Sequence, residues 1–135
     1  MNRNTYPPKK LVHTEFCLYQ ENPQEYRSGD LICTRVAGVT FDNRQDVMAE
    51  LTRGETIRLC CEPENPYDSN AIRVERLNGQ TMGYLNRAMA ANLAPFFKAH
   101  PKYVRGEVHS LIGALGHGFS LGVIITFYIP GGEKR

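Results

Sequence analysis

Tyr67 and Asp68 set an aromatic ring beside a carboxylate at the crest of an eleven-residue segment, Glu62-Pro63-Glu64-Asn65-Pro66-Tyr67-Asp68-Ser69-Asn70-Ala71-Ile72. Pro63 and Pro66 fix φ and remove two backbone donors, while asparagine, aspartate and serine supply local side-chain hydrogen bonds. The result is expected to be a stiff, irregular loop, and loops held rigidly on a scaffold are where binding residues collect. Glu62, Glu64 and Asp68 share the segment, so metal-dependent nuclease or phosphatase chemistry is one option. The two prolines restrict how those carboxylates could converge, and no nucleophile–base pair is recognisable. The glycine-rich run Gly113-Ala114-Leu115-Gly116-His117-Gly118 lacks the Gly-Lys-Ser/Thr ending of a P-loop. Catalysis therefore ranks well behind binding, and the chain reads as no enzyme.

Metal chemistry has little support. Cys17, Cys33, Cys60 and Cys61 form no Cys-x-x-Cys pair, and the adjacent Cys60 and Cys61 point to opposite faces of a strand. Buried, reduced thiols are the expected state. His13, His100, His109 and His117 also lack ligand spacing, although a composite site of His117 with Cys60 stays open. No metal and no cofactor are expected.

The net charge is +2 with a pI near 8.4. Coating of duplex DNA through bulk electrostatics needs a larger basic excess, but a local site for a few phosphates is allowed. Apolar content of 41% and charged content of 22% are ordinary for one soluble globular domain. The N-terminus has no secretory pattern, and the apolar run Leu121 to Ile129 is too short to span a bilayer. The chain is expected to be cytoplasmic, with no membrane partner.

The elements that must hold the loop follow from alternation and turn signals. Leu31 to Phe41 reads as the first core strand, and Gln45 to Leu51 as a short helix with Val47, Met48 and Leu51 at helical spacing. Gly54 suits the left-handed position just past that helix. Strands from Thr56 and from Ala71 flank the loop, and Asn78-Gly79 predicts a hairpin between Ile72–Leu77 and Thr81–Leu85. Asn86 caps a helix to about Ala99, carrying Met89, Leu93, Phe96 and Phe97 along one side, with Pro95 expected to kink or divide it. Strands at Tyr103–Ile112 and Ser120–Ile129 complete about six strands and two helices in a compact antiparallel arrangement. Residues 1–29 read as an N-terminal extension with a short strand around Leu11 to Tyr19, 30–129 as the domain, and 130–135 as a C-terminal tail.

Gly38-Val39-Thr40-Phe41, then the loop from Glu62 to Ile72, then Met82-Gly83-Tyr84-Leu85 followed by a helix resembles the HIRAN domain in order and spacing. The resemblance spans about residues 30 to 129 and implies a small OB-like antiparallel β-barrel. Its best-understood member binds single-stranded DNA and captures the free 3′-hydroxyl end, and members occur fused to remodelling ATPases. The resemblance thus implies single-stranded DNA as partner here, with a remodelling or repair ATPase acting in trans.

Carried over residue by residue, the resemblance implies a site of Phe41, Tyr67, Asp68, Tyr84, Asn86, Arg87 and Phe119. Tyr67 and Phe41 would offer flat faces to unstacked bases. Asp68 would accept a hydrogen bond from the 3′-hydroxyl and repel a 3′-phosphate. Arg87 would pair with a phosphate beside Tyr84 and Asn86, and Phe119 would wedge or stack near the end. Thr40 stands where the best-understood member has arginine, and Phe41 where it has tyrosine. The first change removes a phosphate contact and the second a hydroxyl, so weaker affinity and end selectivity are expected.

Each residue also has an explanation without a ligand. Tyr67 could pack over the barrel end, and Asp68 and Asn70 could close Asx turns. Asn65 and Asn70 read as loop-shaping residues, and Arg87 without the resemblance is a solvated charge. A protein-interaction module, with Tyr67 and Phe41 as an apolar patch, is the alternative from another class.

Overall fold

The computed structural model describes residues 11–12, 26–99, 103–113 and 120–131. In chain order these give β1 (Leu11–Val12), β2 (Leu31–Arg35), α1 (Arg44–Glu50), β3 (Thr56–Cys61), β4 (Ile72–Arg76), β5 (Thr81–Tyr84), α2 (Arg87–Lys98), β6 (Val104–Ile112) and β7 (Gly122–Tyr128). Strands β2 to β7 pair antiparallel in the order β2-β7-β6-β3-β4-β5. Register shifts at Val74/Glu75 and at Val108/Ser110 mark bulges, which bend a sheet and sharpen its twist.

The bending brings the far edge home. Ala37, two residues past β2, forms an antiparallel bridge with Tyr84 of β5. Ala37 N–H donates to the Tyr84 carbonyl at 2.7 Å, and Tyr84 N–H returns a bond to Ala37 at 2.9 Å. The N-terminal half of β2 meanwhile takes β1 alongside it in parallel, Leu11 opposite Leu31. The sheet is therefore a small OB-like barrel, mainly β with two short helices, as expected.

Alternation explains the core. Ile57 and Leu59 of β3, Ile72 and Val74 of β4, and Val123, Ile125 and Phe127 of β7 all point inward and are buried. Met89, Ala90, Leu93, Ala94 and Phe97 of α2 cover one end, and Phe97 meets Phe127 edge-on with centroids 5.9 Å apart. Phe96, expected on that same side, is only partly buried.

Several expected boundaries move. The strand expected over Leu31–Phe41 stops at Arg35, because Gly38 adopts φ 72° and Phe41 N–H bonds back to its carbonyl, making a turn. Gly54 does take a positive φ, 84°, but α1 ends at Glu50 with extended Leu51, so the glycine serves the turn into β3. Pro95 does not divide α2. Its missing N–H removes the bond to the Ala91 carbonyl, yet the helix runs on to Lys98. The thiols of Cys60 and Cys61 are free but half-buried, Cys33 is likewise half-buried, and Cys17 lies outside the described residues.

Candidate nucleic-acid interface

The loop between β3 and β4 is laced by its own polar groups. Asn65 Oδ1 accepts the N–H groups of Tyr67 at 2.8 Å and Asp68 at 3.1 Å, while its Nδ2 donates to Glu62 Oε1 at 3.0 Å. Asp68 Oδ1 closes an Asx turn by accepting Asn70 N–H at 2.9 Å. At the base, Glu62 N–H bonds the Ala71 carbonyl at 2.9 Å. The loop is thus ordered without burying its crest, and Tyr67 stands 86% exposed. It does not pack over the barrel end.

Facing it is the turn from Gly38 to Asp42, where Phe41 is 65% exposed. Gln45 pins this turn to the residue just before β7: its Nε2 donates to the Val39 and Leu121 carbonyls, and its Oε1 accepts Leu121 N–H at 2.7 Å. Between turn and loop lies a groove of about 880 Å³. Its lining includes Phe41, Asp42, Arg44, Tyr67, Asp68, Tyr84 and Arg87. Two cations and two carboxylates therefore meet there, and each cation stands 3.6 Å from one carboxylate, Arg44 from Asp42 and Arg87 from Asp68. Arg87 also donates to the Tyr67 carbonyl at 2.7 Å, tying the start of α2 to the loop crest.

Beneath the groove, Glu62 gathers donors from three elements. Its carboxylate accepts from Asn65, from Tyr84 Oη at 2.9 Å, and from Arg73 in a close ion pair. Burial alone would push the Glu62 carboxyl up, but the bonds from Asn65, Arg73 and Tyr84 outweigh it and hold the carboxyl below its ordinary value. Tyr84 moves the other way, raised by burial and then by its bond to, and the charge of, Glu62. Burial works against the Arg73 cation, yet its bonds to Glu62 and Glu75 raise its pKa. Over the Tyr84 ring lies the Arg44 guanidinium, 5.4 Å from the centroid.

Five of the residues singled out from the sequence, Phe41, Tyr67, Asp68, Tyr84 and Arg87, line this one groove. Phe119 and His117 lie outside the described residues. Asn86 does not line the groove; its Oδ1 caps α2 by accepting Met89 N–H at 2.8 Å. Asn86→Ala should therefore lower stability by about 1 kcal/mol in chemical denaturation. A stability within a few tenths of a kcal/mol of wild type would remove the capping role.

Sequence reasoning passed over Arg44, Asp42 and Arg73. Arg73 was legible in principle, since it sits opposite Cys60 on the paired strand and near Glu62 at the strand's end. Arg44 follows the aromatic by three residues, but only the turn reveals that it faces the groove. Among the described residues, no group of three or more His, Cys, Asp or Glu could hold a metal ion. Burial pushes the Cys60 and Cys61 thiols up, away from the reactive thiolate.

A small curled barrel with a polar-aromatic groove beside its closing bridge defines the class of module. Its family follows from comparison: the HIRAN domain model matches residues 28–115, and the chain belongs to that family. The chain is similar to the helicase-like transcription factor of Oryctolagus cuniculus, 36% identical over 78 residues, which is 58% of this chain and 8% of that protein. A putative SWI/SNF-related matrix-associated actin-dependent regulator of chromatin subfamily A member 3-like 1 of Arabidopsis thaliana is 43% identical over 54 residues, 40% of this chain and 6% of that protein. The chain thus spans less than a tenth of the length of these curated relatives. In structure it resembles the HIRAN domain of human HLTF, with TM-score 0.53 and 25% identity over 74% of this chain and 76% of that one. A crystal structure of a protein from Lactobacillus plantarum shares the fold at TM-score 0.56 and 23% identity, over 70% and 89% of the two chains.

Proposed function

We propose that the chain is a non-catalytic module that binds single-stranded DNA at or near a free 3′-hydroxyl end. The observation that carries this is the pair of exposed rings, Tyr67 and Phe41, presented from separate elements into one groove that also holds Asp68. Unstacked bases gain roughly 1–3 kcal/mol each on such faces, whatever the sequence. Asp68 keeps acceptor capacity for a hydroxyl, because Oδ1 is used in the Asx turn while Oδ2 stands 3.6 Å from Arg87, beyond hydrogen-bonding distance. A terminal phosphate at the same place would lose that donor and face a like charge. Membership of the HIRAN family and similarity to a helicase-like transcription factor support a setting in replication or repair, with an ATPase acting in trans. The same reading puts the protein in the cytoplasm. No helix among the described residues is long and apolar enough to cross a membrane.

Fluorescence anisotropy at low salt with 3′-hydroxyl, 3′-phosphate and circular single strands tests this directly. Wild type should prefer the 3′-hydroxyl strand by about tenfold, or ~1.4 kcal/mol. Asp68→Ala should abolish the preference, while Asp68→Asn keeps the loop's Asx acceptor and separates charge from loop shape. Equal binding of all three strands would remove the end-sensing role and leave a single-strand binder. Binding of none would leave the exposed rings as a protein-docking patch.

A further inference from the structure

Resting on that reading of the groove, we infer that Arg44 is a phosphate contact and that Asp42 occupies its place until a strand arrives. Arginine carries five N–H donors in a planar fork. In Arg44 one terminal nitrogen donates to the Gly38 carbonyl at 2.8 Å, and the other stands 3.6 Å from Asp42 Oδ2, too far for a hydrogen bond. One face of the guanidinium lies over the Tyr84 ring. Ring and carbonyl together fix the fork, and the side chain is only 15% exposed. A cation held this way loses little conformational freedom when it binds, and a phosphate can take two of its donors at once.

Asp42 has the opposite character. Its side chain is 79% exposed, its backbone adopts φ 54°, and its contact with Arg44 is loose. Exposed pairs of this kind contribute little, so a phosphate oxygen can displace the carboxylate at small cost. Arg87 differs again. Its side chain is 75% exposed, and it already donates to the Tyr67 carbonyl. Of the two groove arginines, the half-buried and pre-oriented one is thus the one whose present anion is easily exchanged. Asp42 also sets selectivity, since its charge opposes every phosphate that enters and keeps weakly stacked ligands out.

Anisotropy titrations of a single-stranded oligonucleotide across a salt series test the inference with wild type, Arg44→Gln, Arg44→Lys and Asp42→Asn. Each phosphate neutralised on a single strand contributes about 0.7 to the slope of log affinity against log salt. Arg44→Gln should weaken binding and flatten the slope by roughly that amount. Arg44→Lys should keep the slope while losing part of the affinity, because an ammonium retains charge without the fork. Asp42→Asn should tighten binding about threefold by removing the competing carboxylate. A purely structural role for Arg44 would lower affinity in both Arg44 variants with an unchanged slope, and that result overturns the inference while single-strand binding stands. If wild type binds no oligonucleotide, both readings fall together.

Discussion

Gly83→Ala should lower the thermal midpoint by roughly 10 °C or more. A Cβ at position 83 would lie 2.3 Å from the Ala37 carbonyl oxygen and 2.7 Å from Val36 Cγ1. Real contacts are never that short, and the first obstacle is backbone, which cannot swing aside as a side-chain tip can. It is also the carbonyl that accepts Tyr84 N–H in the bridge closing the barrel. Relief therefore means opening the bridge or displacing buried Val36, and overpacking of this severity costs about 3 kcal/mol or more. Gly79→Ala is the control. It has nothing within 4 Å and φ 94°, so only backbone strain of about 1 kcal/mol applies. Circular-dichroism melts of the two variants decide the matter. Equal midpoints would show that closure tolerates the methyl group and that the steric account is wrong. Because Ala37 and Tyr84 both line the groove, the same substitution should also blunt any ligand binding at temperatures where the protein is folded.

What the sequence revealed and what it hid divide along the distance between partners. The Asn78-Gly79 hairpin, the Asn86 cap and the Tyr67-Asp68 loop are local designs, in which residues within a few positions satisfy one another, and all three formed as expected. Alternation likewise placed the two strands that flank the loop, β3 and β4. The strand expected through Phe41 failed because propensity cannot register that Gly38 takes a left-handed φ and turns the chain. That turn puts Phe41 and Arg44 opposite Tyr67; the resemblance implied the meeting of Phe41 with Tyr67, but nothing in either segment signals Arg44. Gly83 is legible as a glycine within Met82-Gly83-Tyr84-Leu85, yet its physical task depends on Ala37, forty-six positions earlier. Pro95 leaves α2 undivided, because the helix continues past it to Lys98.

Glu62→Ala should cost roughly 2 kcal/mol at neutral pH, because it strands three donors that converge on one charged acceptor. Tyr84 Oη and Asn65 Nδ2 lose their carboxylate, and Arg73 keeps only Glu75. The pH dependence identifies the cause. Glu62 is held below its ordinary value of 4.5, so in the folded state it binds its proton less readily than when unfolded. Its stabilising contribution is therefore fully present above about 4.5 and is lost as pH falls through the lowered folded value. Urea midpoints of wild type and Glu62→Ala should thus lie well apart at pH 7 and draw together toward pH 3. A gap that stays constant down to pH 3 would mean that packing, not the charge, carries the effect. Tyr84→Phe supplies the second arm of a cycle. It removes only the hydroxyl, so Glu62→Ala should cost less in that background than in wild type by about 1 kcal/mol. A coupling near zero would detach the loop base from the groove wall. A coupling of the expected size makes Glu62 the residue through which the Tyr67-Asp68 loop, the Tyr84 ring and the Arg44 guanidinium above it are held in one geometry.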